Sequence, residues 1–489
     1  MNPRLKKSDS PKILEALFQL GSSGIAENES DPLFLKRFLP LLEHGRALEP
    51  GAFLIIGNRG AGKTALFQAL QSSAGIEAIM NVAPKVSQEQ IDGSTWLVGY
   101  SSRGTEFPAE MVIRKFSYGK TAFDFQLVWL GLLLRCLRKA KFITMVRNVK
   151  LLEMLDAPTV SIEEIFSVIG QITEESIALL DQCDQQLVIQ DLWVFVTYDE
   201  LDRLCASDWE SLTTILKGLI QYWSSNSRRW QRLRPKIFLR KDLYDRALVG
   251  TDVSKISAQR VELNWTVRSL YALLAKRLVN QDALLRDYLI EVLPEGEDRG
   301  ELGWFPLANK EEDYRPMIEK MCGPYMGANA NKGRTFLWIP KHLEDSNGRV
   351  LPRSMIRLFE NAADLERISP RAEWPGVIHY TSLRGALDKV SIDRFNEIKE
   401  EFLWIDKVRS VLQPANIKVP VERLKLQGAL NIDWSKERNV PPETNAYGLL
   451  QFLGELGIFY LRPDGRVDVR DIYLEGLGLK RQGGVKKPF

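Results

Sequence analysis

The segment that most constrains the fold is GNRGAGKT, Gly57 to Thr64, which has the spacing GxxxxGK[ST]. It follows an apolar run that predicts a buried strand, Ala52 to Ile56, and it precedes a predicted helix, Thr64 to Gln71. Glycines let such a loop turn tightly enough for its backbone N–H groups to surround a phosphate, and the following helix points its N-terminus at the same anion. This strand–loop–helix order predicts an α/β chain with a phosphate-binding loop.

The loop residues are the candidate nucleotide contacts. Lys63 is expected to reach the β- and γ-phosphates, and the Thr64 hydroxyl is expected to ligate Mg²⁺. ATP and Mg²⁺ are therefore the expected cofactors. The candidate nucleotide-binding residues of this segment are Gly57, Asn58, Arg59, Gly60, Ala61, Gly62, Lys63, Thr64 and Ala65.

A second apolar run, Leu192 to Tyr198, is followed directly by Asp199 and Glu200. A buried strand that ends in two acids is typical of a Walker B motif. Asp199 would hold Mg²⁺ through water, and Glu200 would orient and polarise the attacking water. Because 136 residues separate Lys63 from Asp199, we expect a mainly helical insertion between the two strands.

Two arginines are further candidates. Arg240 ends the next predicted strand, Lys236 to Leu239, where a parallel sheet would turn it toward the γ-phosphate; the alternative is a surface arginine in a basic stretch. Arg353 begins a later predicted helix and would reach the phosphates from a helical lid; the alternative is a solvated residue at a helix start.

Strand and helix patterns alternate through the first half of the chain. This alternation predicts a parallel sheet covered by helices, an α/β P-loop NTPase. The other predicted elements are strands at 77–82, 111–116 and 260–263, and helices within 122–190, at 208–223 and at 267–280.

Composition shifts along the chain predict five segments. They are an N-terminal helical segment at 1–45, an ATPase core at 46–275 with its helical insertion at about 120–190, an insertion or linker of little regular structure at 276–347, a helical lid at 348–412, and a winged-helix-like C-terminal domain at 413–489.

The composition of the 489 residues excludes several classes of protein. A 45% hydrophobic and 26% charged chain is globular, and a net charge of +3 is too balanced to indicate nucleic acid or membrane as a partner of the whole molecule. Three widely spaced histidines exclude HExxH-type zinc chemistry, and four cysteines without CxxC spacing indicate buried thiols in a reducing compartment. No signal peptide or membrane-spanning run is evident, so we expect a cytoplasmic protein.

The C-terminus is locally basic. A turn at Pro463–Gly465 between two alternating runs predicts a hairpin, the wing of a winged helix. Its basic residues would bind DNA phosphates without reading sequence, or the module would instead pack against protein. These residues are Arg462, Arg466, Arg470, Lys480, Arg481, Lys486 and Lys487.

Three motifs resemble known ATPases. The segment Tyr198 to Leu204, YDELDRL, resembles the Walker B motif of KAP and STAND-like P-loop ATPases, and the position of Arg240 resembles the sensor arginine of STAND proteins. The segment Arg349 to Ser354, RVLPRS, is similar to the lid motif of origin-recognition-type AAA+ ATPases. The tail, Asp471 to Lys480, looks like that of a prokaryotic family of stand-alone P-loop ATPases.

The resemblance covers about 46–275 well and the rest loosely. It implies ATP hydrolysis coupled to a conformational switch, with oligomers or an effector protein as partner. The expected role is a sensor or regulatory subunit of a bacterial anti-phage or mobile-element system. The alternatives are a DNA-dependent ATPase that loads or remodels complexes on DNA, and a scaffold that holds ATP with negligible turnover.

Surplus arginines suggest a site completed between subunits. Arg203 and the 228–234 cluster are expected near the C-terminal edge of the sheet, where each would serve as a trans-acting arginine finger. The alternative is that Arg203 pairs with Asp202 or another nearby acid and that the cluster is solvated.

Overall fold

The computed structural model describes residues 10–22, 33–83, 93–102, 106–205, 208–247, 258–371 and 374–483. The chain divides into two compact units. One comprises Pro40–Asn264, and the other combines Met1–Leu39 with Trp265–Phe489.

A five-stranded parallel sheet organises the unit Pro40–Asn264. Its strands are β1 (Leu54–Gly57), β2 (Ser94–Tyr100), β3 (Trp193–Tyr198), β4 (Leu233–Arg240) and β5 (Arg260–Glu262). Their order in the sheet is β2-β3-β4-β1-β5. All strands are parallel, so their carboxyl ends share one edge, where Gly57 lies opposite Arg240. With a phosphate-binding loop between β1 and the next helix, this is the predicted α/β P-loop NTPase fold.

Helices cover this sheet and fill the region between β2 and β3. Large aromatic side chains fix their positions: Trp129 Nε1 donates to the Ile215 carbonyl at 3.2 Å, and Trp223 Nε1 donates to the Tyr198 hydroxyl at 3.2 Å. Burial of each such side chain contributes about 1.5–3 kcal/mol. The helices are Leu42–Leu48, Lys63–Ala69, Ser73–Met80, Glu110–Ser117, Ala122–Lys139, Val149–Asp156, Ile162–Gln171, Thr173–Ile189, Trp209–Asn226 and Lys241–Ala247.

Two predicted strands of this unit are wrong. The segments 77–82 and 111–116 lie largely in the helices Ser73–Met80 and Glu110–Ser117. In the second helix the buried residues Ile113 and Phe116 are three positions apart, which is helical spacing. The sheet's edge strand is instead β2, whose first five residues are only partly buried and so carry a weak hydrophobic signal.

The other unit is mainly helical. The helix Pro352–Ile368 packs against Ser10–Ser22 and Tyr380–Glu401, and Arg367 pairs with Glu15 at 2.8 Å. Its remaining helices are Phe34–Arg37, Val267–Gln281, Ala283–Leu289, Arg315–Cys322, Thr335–Leu343, Ile405–Leu412, Arg423–Ala429, Ala446–Glu455 and Asp471–Leu474.

The segment 276–347 is more regular than its composition predicts. It contains three complete α-helices and the hairpin of β6 (Gly296–Asp298) and β7 (Trp304–Pro306). These helices are short, but each has a buried apolar side, such as Met317, Ile318 and Met321. The Gly, Pro and Asn residues between them hid this pattern.

Three short strand pairings and three helices form the C-terminal module. After Ile405–Leu412 come β8 (Lys418–Val419), two helices, and the antiparallel pair β9 (Phe459–Leu461) and β10 (Val467–Val469). Val421 bridges to Val467, and β8 also pairs with β11 (Lys480–Arg481). The predicted hairpin turn is confirmed, with Gly465 at a φ of 81°. In the described part of the chain, no helix is long and apolar enough to cross a membrane.

Candidate nucleotide-binding site

The loop after β1 has the backbone that a phosphate cradle requires. Gly60 and Gly62 adopt left-handed φ angles of 80° and 95°, which other residues adopt only with strain. A Cβ on Gly57 would lie 3.1 Å from the Ala61 Cβ, so the loop is closely packed there. Lys63 Nζ donates to the carbonyls of Gly57 at 2.8 Å and Asn58 at 3.1 Å. The ammonium group therefore lies against the loop that it follows.

Asp199 follows β3 at the same edge of the sheet and is 3% exposed. Its backbone N–H donates to the Tyr100 carbonyl at 3.1 Å. Burial raises the pKa of its carboxyl to about 6; a backbone hydrogen bond involving Glu200 and the positive charge of Lys63 oppose this rise. Lys63 and Asp199 are thus close enough to interact electrostatically, as the sequence predicts.

The Asp199 Oδ2 atom is buried and has no hydrogen-bond partner among the residues that the structure describes. An unpaired buried carboxylate oxygen is unfavourable unless a ligand satisfies it. Oxygen ligands suit Mg²⁺, which proteins usually bind through one or two side chains together with substrate phosphates and water. Asp199 therefore fits the expected metal, and Thr64 lies in the first turn of the helix Lys63–Ala69 that follows the loop.

Glu200 is held in a strained conformation. It is 7% exposed, and its φ of 56° and ψ of 26° lie in the left-handed region, at a cost of roughly 1–2 kcal/mol. Its Oε2 accepts hydrogen bonds from Ser102 Oγ at 2.6 Å and Ser101 Oγ at 3.4 Å. Both serines follow β2. The sequence did not predict these two serines as site residues because it did not predict β2. Recognition of β2 would have placed them at the same edge of the sheet as Glu200.

Arg203 lies beside Glu200. Its Nη1 is 3.7 Å from Glu200 Oε1, and its side chain is 51% exposed. Arg203 thus pairs with a nearby acid of its own chain, Glu200, which agrees with the intramolecular alternative.

Arg240 lies at the expected edge, opposite Gly57, and is 7% exposed. Its guanidinium donates to both carboxylate oxygens of Asp242, at 3.1 and 2.7 Å, and its Nη1 is 3.6 Å from Asp202 Oδ2. It is a buried, doubly paired residue and not a surface arginine. These ion pairs link it to the segment that follows Asp199 and Glu200.

Arg353 belongs to the other unit. There its Nη1 donates to Glu397 Oε1 at 3.0 Å, and Glu397 also accepts from Arg394. Arg353 begins the helix Pro352–Ile368, as predicted. Its contact with a nucleotide stays a prediction.

The predicted position of the 228–234 arginine cluster is wrong. The cluster precedes and begins β4. It therefore lies at the amino-terminal edge of the parallel sheet, whereas Gly57 lies at the carboxyl-terminal edge. Three of its four arginines are also engaged: Arg229 pairs with Asp181 at 2.5 Å, Arg232 pairs with Asp191 at 2.6 Å, and Arg234 donates to the Ser227 and Trp230 carbonyls. Within one chain, the cluster therefore lies away from the phosphate-binding loop.

Four arginines of the C-terminal module are likewise paired within the unit. Asp468, which is 1% exposed, binds both Arg462 and Arg481. The further pairs are Arg466 with Asp464, Arg470 with Glu344, and Arg481 with Asp471. Lys480 is exposed, whereas Lys486 and Lys487 lie outside the described residues. Fewer cations of the C-terminal module are therefore without an ion pair, among its described residues, than the sequence predicts.

No family model and no curated protein matches this chain. Among solved structures, the ORC2 protein of Aeropyrum pernix in ADPNP and ADP complexes is 13% identical, with a TM-score of 0.37 over 86% of this chain and 84% of that one. The Cdc6p of Pyrobaculum aerophilum is 14% identical, with a TM-score of 0.28 over 89% of each chain. The Aeropyrum pernix ORC1 protein in complex with DNA is 13% identical, with a TM-score of 0.33 over 92% and 97%. TM-scores below 0.5 are too low to carry an assignment.

Proposed function

We propose that this chain is a Mg²⁺-dependent ATPase of the P-loop class. The observation that carries the proposal is the buried, unpaired Oδ2 of Asp199 at the sheet edge that also bears the phosphate-binding loop. The influence of Lys63 on the pKa of Asp199 supports the same pairing of loop and acid. A cation bound at this site would satisfy the unpaired carboxylate oxygen.

Each residue has a distinct role in the proposed reaction. Lys63 leaves its loop carbonyls and contacts the β- and γ-phosphates, while Thr64 and Asp199 hold Mg²⁺. A Mg²⁺ ion held there would supply positive charge against the phosphate oxygens. Glu200 orients a water molecule in line with the γ-phosphate and accepts its proton.

Glu200 supports a regulated rather than a constitutive enzyme. Its carboxylate is engaged by Ser102 and faces Arg203, so it must exchange these partners for water before hydrolysis. We therefore propose slow basal turnover and a switch role. The alternative, a scaffold that binds ATP with negligible turnover, differs from this only in rate.

Nucleotide binding and single-turnover hydrolysis test the proposal. Lys63→Ala should abolish ATP binding, whereas Glu200→Gln should bind ATP and lose hydrolysis by at least a hundredfold, as expected for a general base. Lys115→Ala, an exposed lysine of the same unit, is the matched control. Parallel titrations with GTP establish base preference. Equal nucleotide binding by the wild type and Lys63→Ala would sink the proposal.

Two further proposals concern the fold of the C-terminal module and the biological role of the chain. We propose a winged helix for the C-terminal module, supported by its helix–strand–helix–helix–strand–strand order from Ile405 to Val469.

We propose the sensor role in phage defence from the motif resemblance alone. A neighbouring toxin or nuclease gene favours it, and a transposase or replication gene favours a DNA-loading ATPase.

A further inference from the structure

A surface of the mainly helical unit combines aromatic rings with cations that have no ion pair among the described residues. It joins the loop between the helices Arg315–Cys322 and Thr335–Leu343 to the start of the helix Tyr380–Glu401. We call it the basic–aromatic patch, and it consists of Lys332, Arg334, Arg371, Trp374, His379, Tyr380 and Arg384.

The loop side of the patch is preorganised by its own backbone. Met326 N–H donates to the Gly333 carbonyl at 2.9 Å, and Thr335 N–H donates to the Pro324 carbonyl at 3.0 Å. The Lys332 stem lies against Gly327, where an added Cβ would be 2.7 Å from the lysine Cγ. Residues 328–334 are all exposed, so Lys332 and Arg334 are presented to solvent on a fixed turn.

Side-chain contacts continue from the loop to the helix. Arg384 Nη2 donates to the Met326 carbonyl at 3.1 Å, and its guanidinium carbon is 5.5 Å from the Tyr380 ring centroid. Trp374 lies 5.5 Å from Tyr380 and donates through Nε1 to the Cys322 carbonyl at 3.2 Å. The rings and cations therefore form one continuous surface.

The aromatic part extends to His379, whose ring centroid is 4.2 Å from that of Tyr380. Arg371 Nη1 is 3.0 Å from His379 Nδ1. Burial lowers the pKa of His379, and Arg371 lowers it further. At neutral pH the imidazole contributes an uncharged ring beside the Arg371 cation.

Charge distinguishes this patch from the C-terminal wing. None of its four cations, Lys332, Arg334, Arg371 and Arg384, lies within 4 Å of a carboxylate among the described residues, whereas all four wing arginines are paired. The nearby Glu366 is 3% exposed. Its oxygens already accept from Arg371 N–H, His379 N–H and Ser382 Oγ. Among the described residues, the four cations therefore have no ion pair; Glu373, between Arg371 and Trp374 in the sequence, lies outside the described residues.

We propose that the basic–aromatic patch binds single-stranded nucleic acid. Four exposed cations provide phosphate contacts, although Arg371 also donates to Thr381 Oγ1 and Arg384 to the Met326 carbonyl. The partly exposed rings of Trp374, His379 and Tyr380 provide faces on which bases stack. An acidic polypeptide would pair with the cations but would leave the rings without a matching partner. This binding goes beyond the proposed ATPase activity and lies in the other unit, so it is measured without nucleotide and stands or falls independently of hydrolysis.

Fluorescence anisotropy of the full chain with a labelled 25-nucleotide single strand tests the proposal. K332Q/R334Q should weaken binding at least tenfold at 100 mM salt. It should also lower the magnitude of the slope of log K against log [salt] by about 1.4, since each lost single-strand phosphate contact contributes about 0.7. R466Q/K480Q, which removes two charges from the wing, should leave both values unchanged.

A second variant separates stacking from charge. Tyr380→Leu should weaken single-strand binding about tenfold with an unchanged salt slope, because it removes a stacking face and no phosphate contact. Melting temperatures check that each variant is folded. R371Q, with an expected slope change of about 0.7, replaces K332Q/R334Q if that variant is unfolded, and Tyr380→Met replaces Tyr380→Leu. Three outcomes overturn the proposal: no binding at 50 mM salt, equal losses in the wing variant, or equally tight and patch-dependent binding of poly-glutamate.

Discussion

At the scale of single residues, the contact between Ser102 and Glu200 carries the first prediction. If the 2.6 Å hydrogen bond restrains the carboxylate, Ser102→Ala frees Glu200 for water and raises kcat about fivefold. That factor corresponds to about 1 kcal/mol for one exposed hydrogen bond to a charged group. Ser102→Thr keeps the hydroxyl and should behave as the wild type. Steady-state hydrolysis at saturating ATP measures the effect, and an unchanged or lower kcat in Ser102→Ala would contradict it.

Asp199 carries the second residue-scale prediction, on stability. Its carboxyl has a pKa of about 6 in the folded chain against 3.8 when unfolded, because burial disfavours the charge. The folded state therefore holds its proton more tightly, and this group lowers stability as pH rises from about 4 to 6. Asp199→Asn removes the penalty and should gain up to about 3 kcal/mol at pH 8 and less at pH 5. Urea unfolding without nucleotide measures it, with the exposed Asp287→Asn as control; an equal gain at both pH values would refute it.

At the scale of elements, Lys236 connects β4 to the turn that precedes β1. It is fully buried, and its Nζ donates to the Glu49 carbonyl at 2.6 Å and the Ala52 carbonyl at 2.7 Å. Burial lowers its pKa well below the usual 10.5, and a neutral amine still has two N–H donors for the two carbonyls. The unfolded chain then binds more protons, so wild-type stability should rise toward pH 10 relative to Lys236→Met. Parallel urea titrations from pH 7 to 10 should show this difference, and a constant offset between the two proteins would disprove it.

Elements also show what the sequence could predict. β1, β3 and β4 are central strands whose faces are largely buried. The apolar runs of β1 and β3 are recognisable in the sequence, whereas β4 contains Arg234, Pro235 and Lys236, and the predicted strand covers only residues 236–239 of it. The loop after β1 and the acids after β3 are recognisable from the spacing of neighbouring residues, so the sequence predicts the elements that carry them correctly. The edge strand β2 has a weaker pattern, and with it the serines beside Glu200 were missed. The pairing of Arg240 with Asp242 and Asp202 joins different elements at the sheet edge, and no local pattern encodes which acid an arginine meets.

At the scale of the whole molecule, the last prediction concerns assembly. Arg203 is half exposed beside Glu200 at the loop edge of the sheet, whereas Arg228 lies at the opposite edge. Glu200→Gln removes the charge that pairs with Arg203 and frees the guanidinium to reach a neighbouring subunit's phosphates. ATP should therefore convert this variant from the 55.8 kDa chain to an oligomer. Arg203→Ala should lower kcat at least tenfold with unchanged ATP affinity, and Arg228→Ala should have no effect. Light scattering that finds ATP-loaded Glu200→Gln monomeric at micromolar concentration would rule out a shared site, and Arg203 would then act only on Glu200 of its own chain.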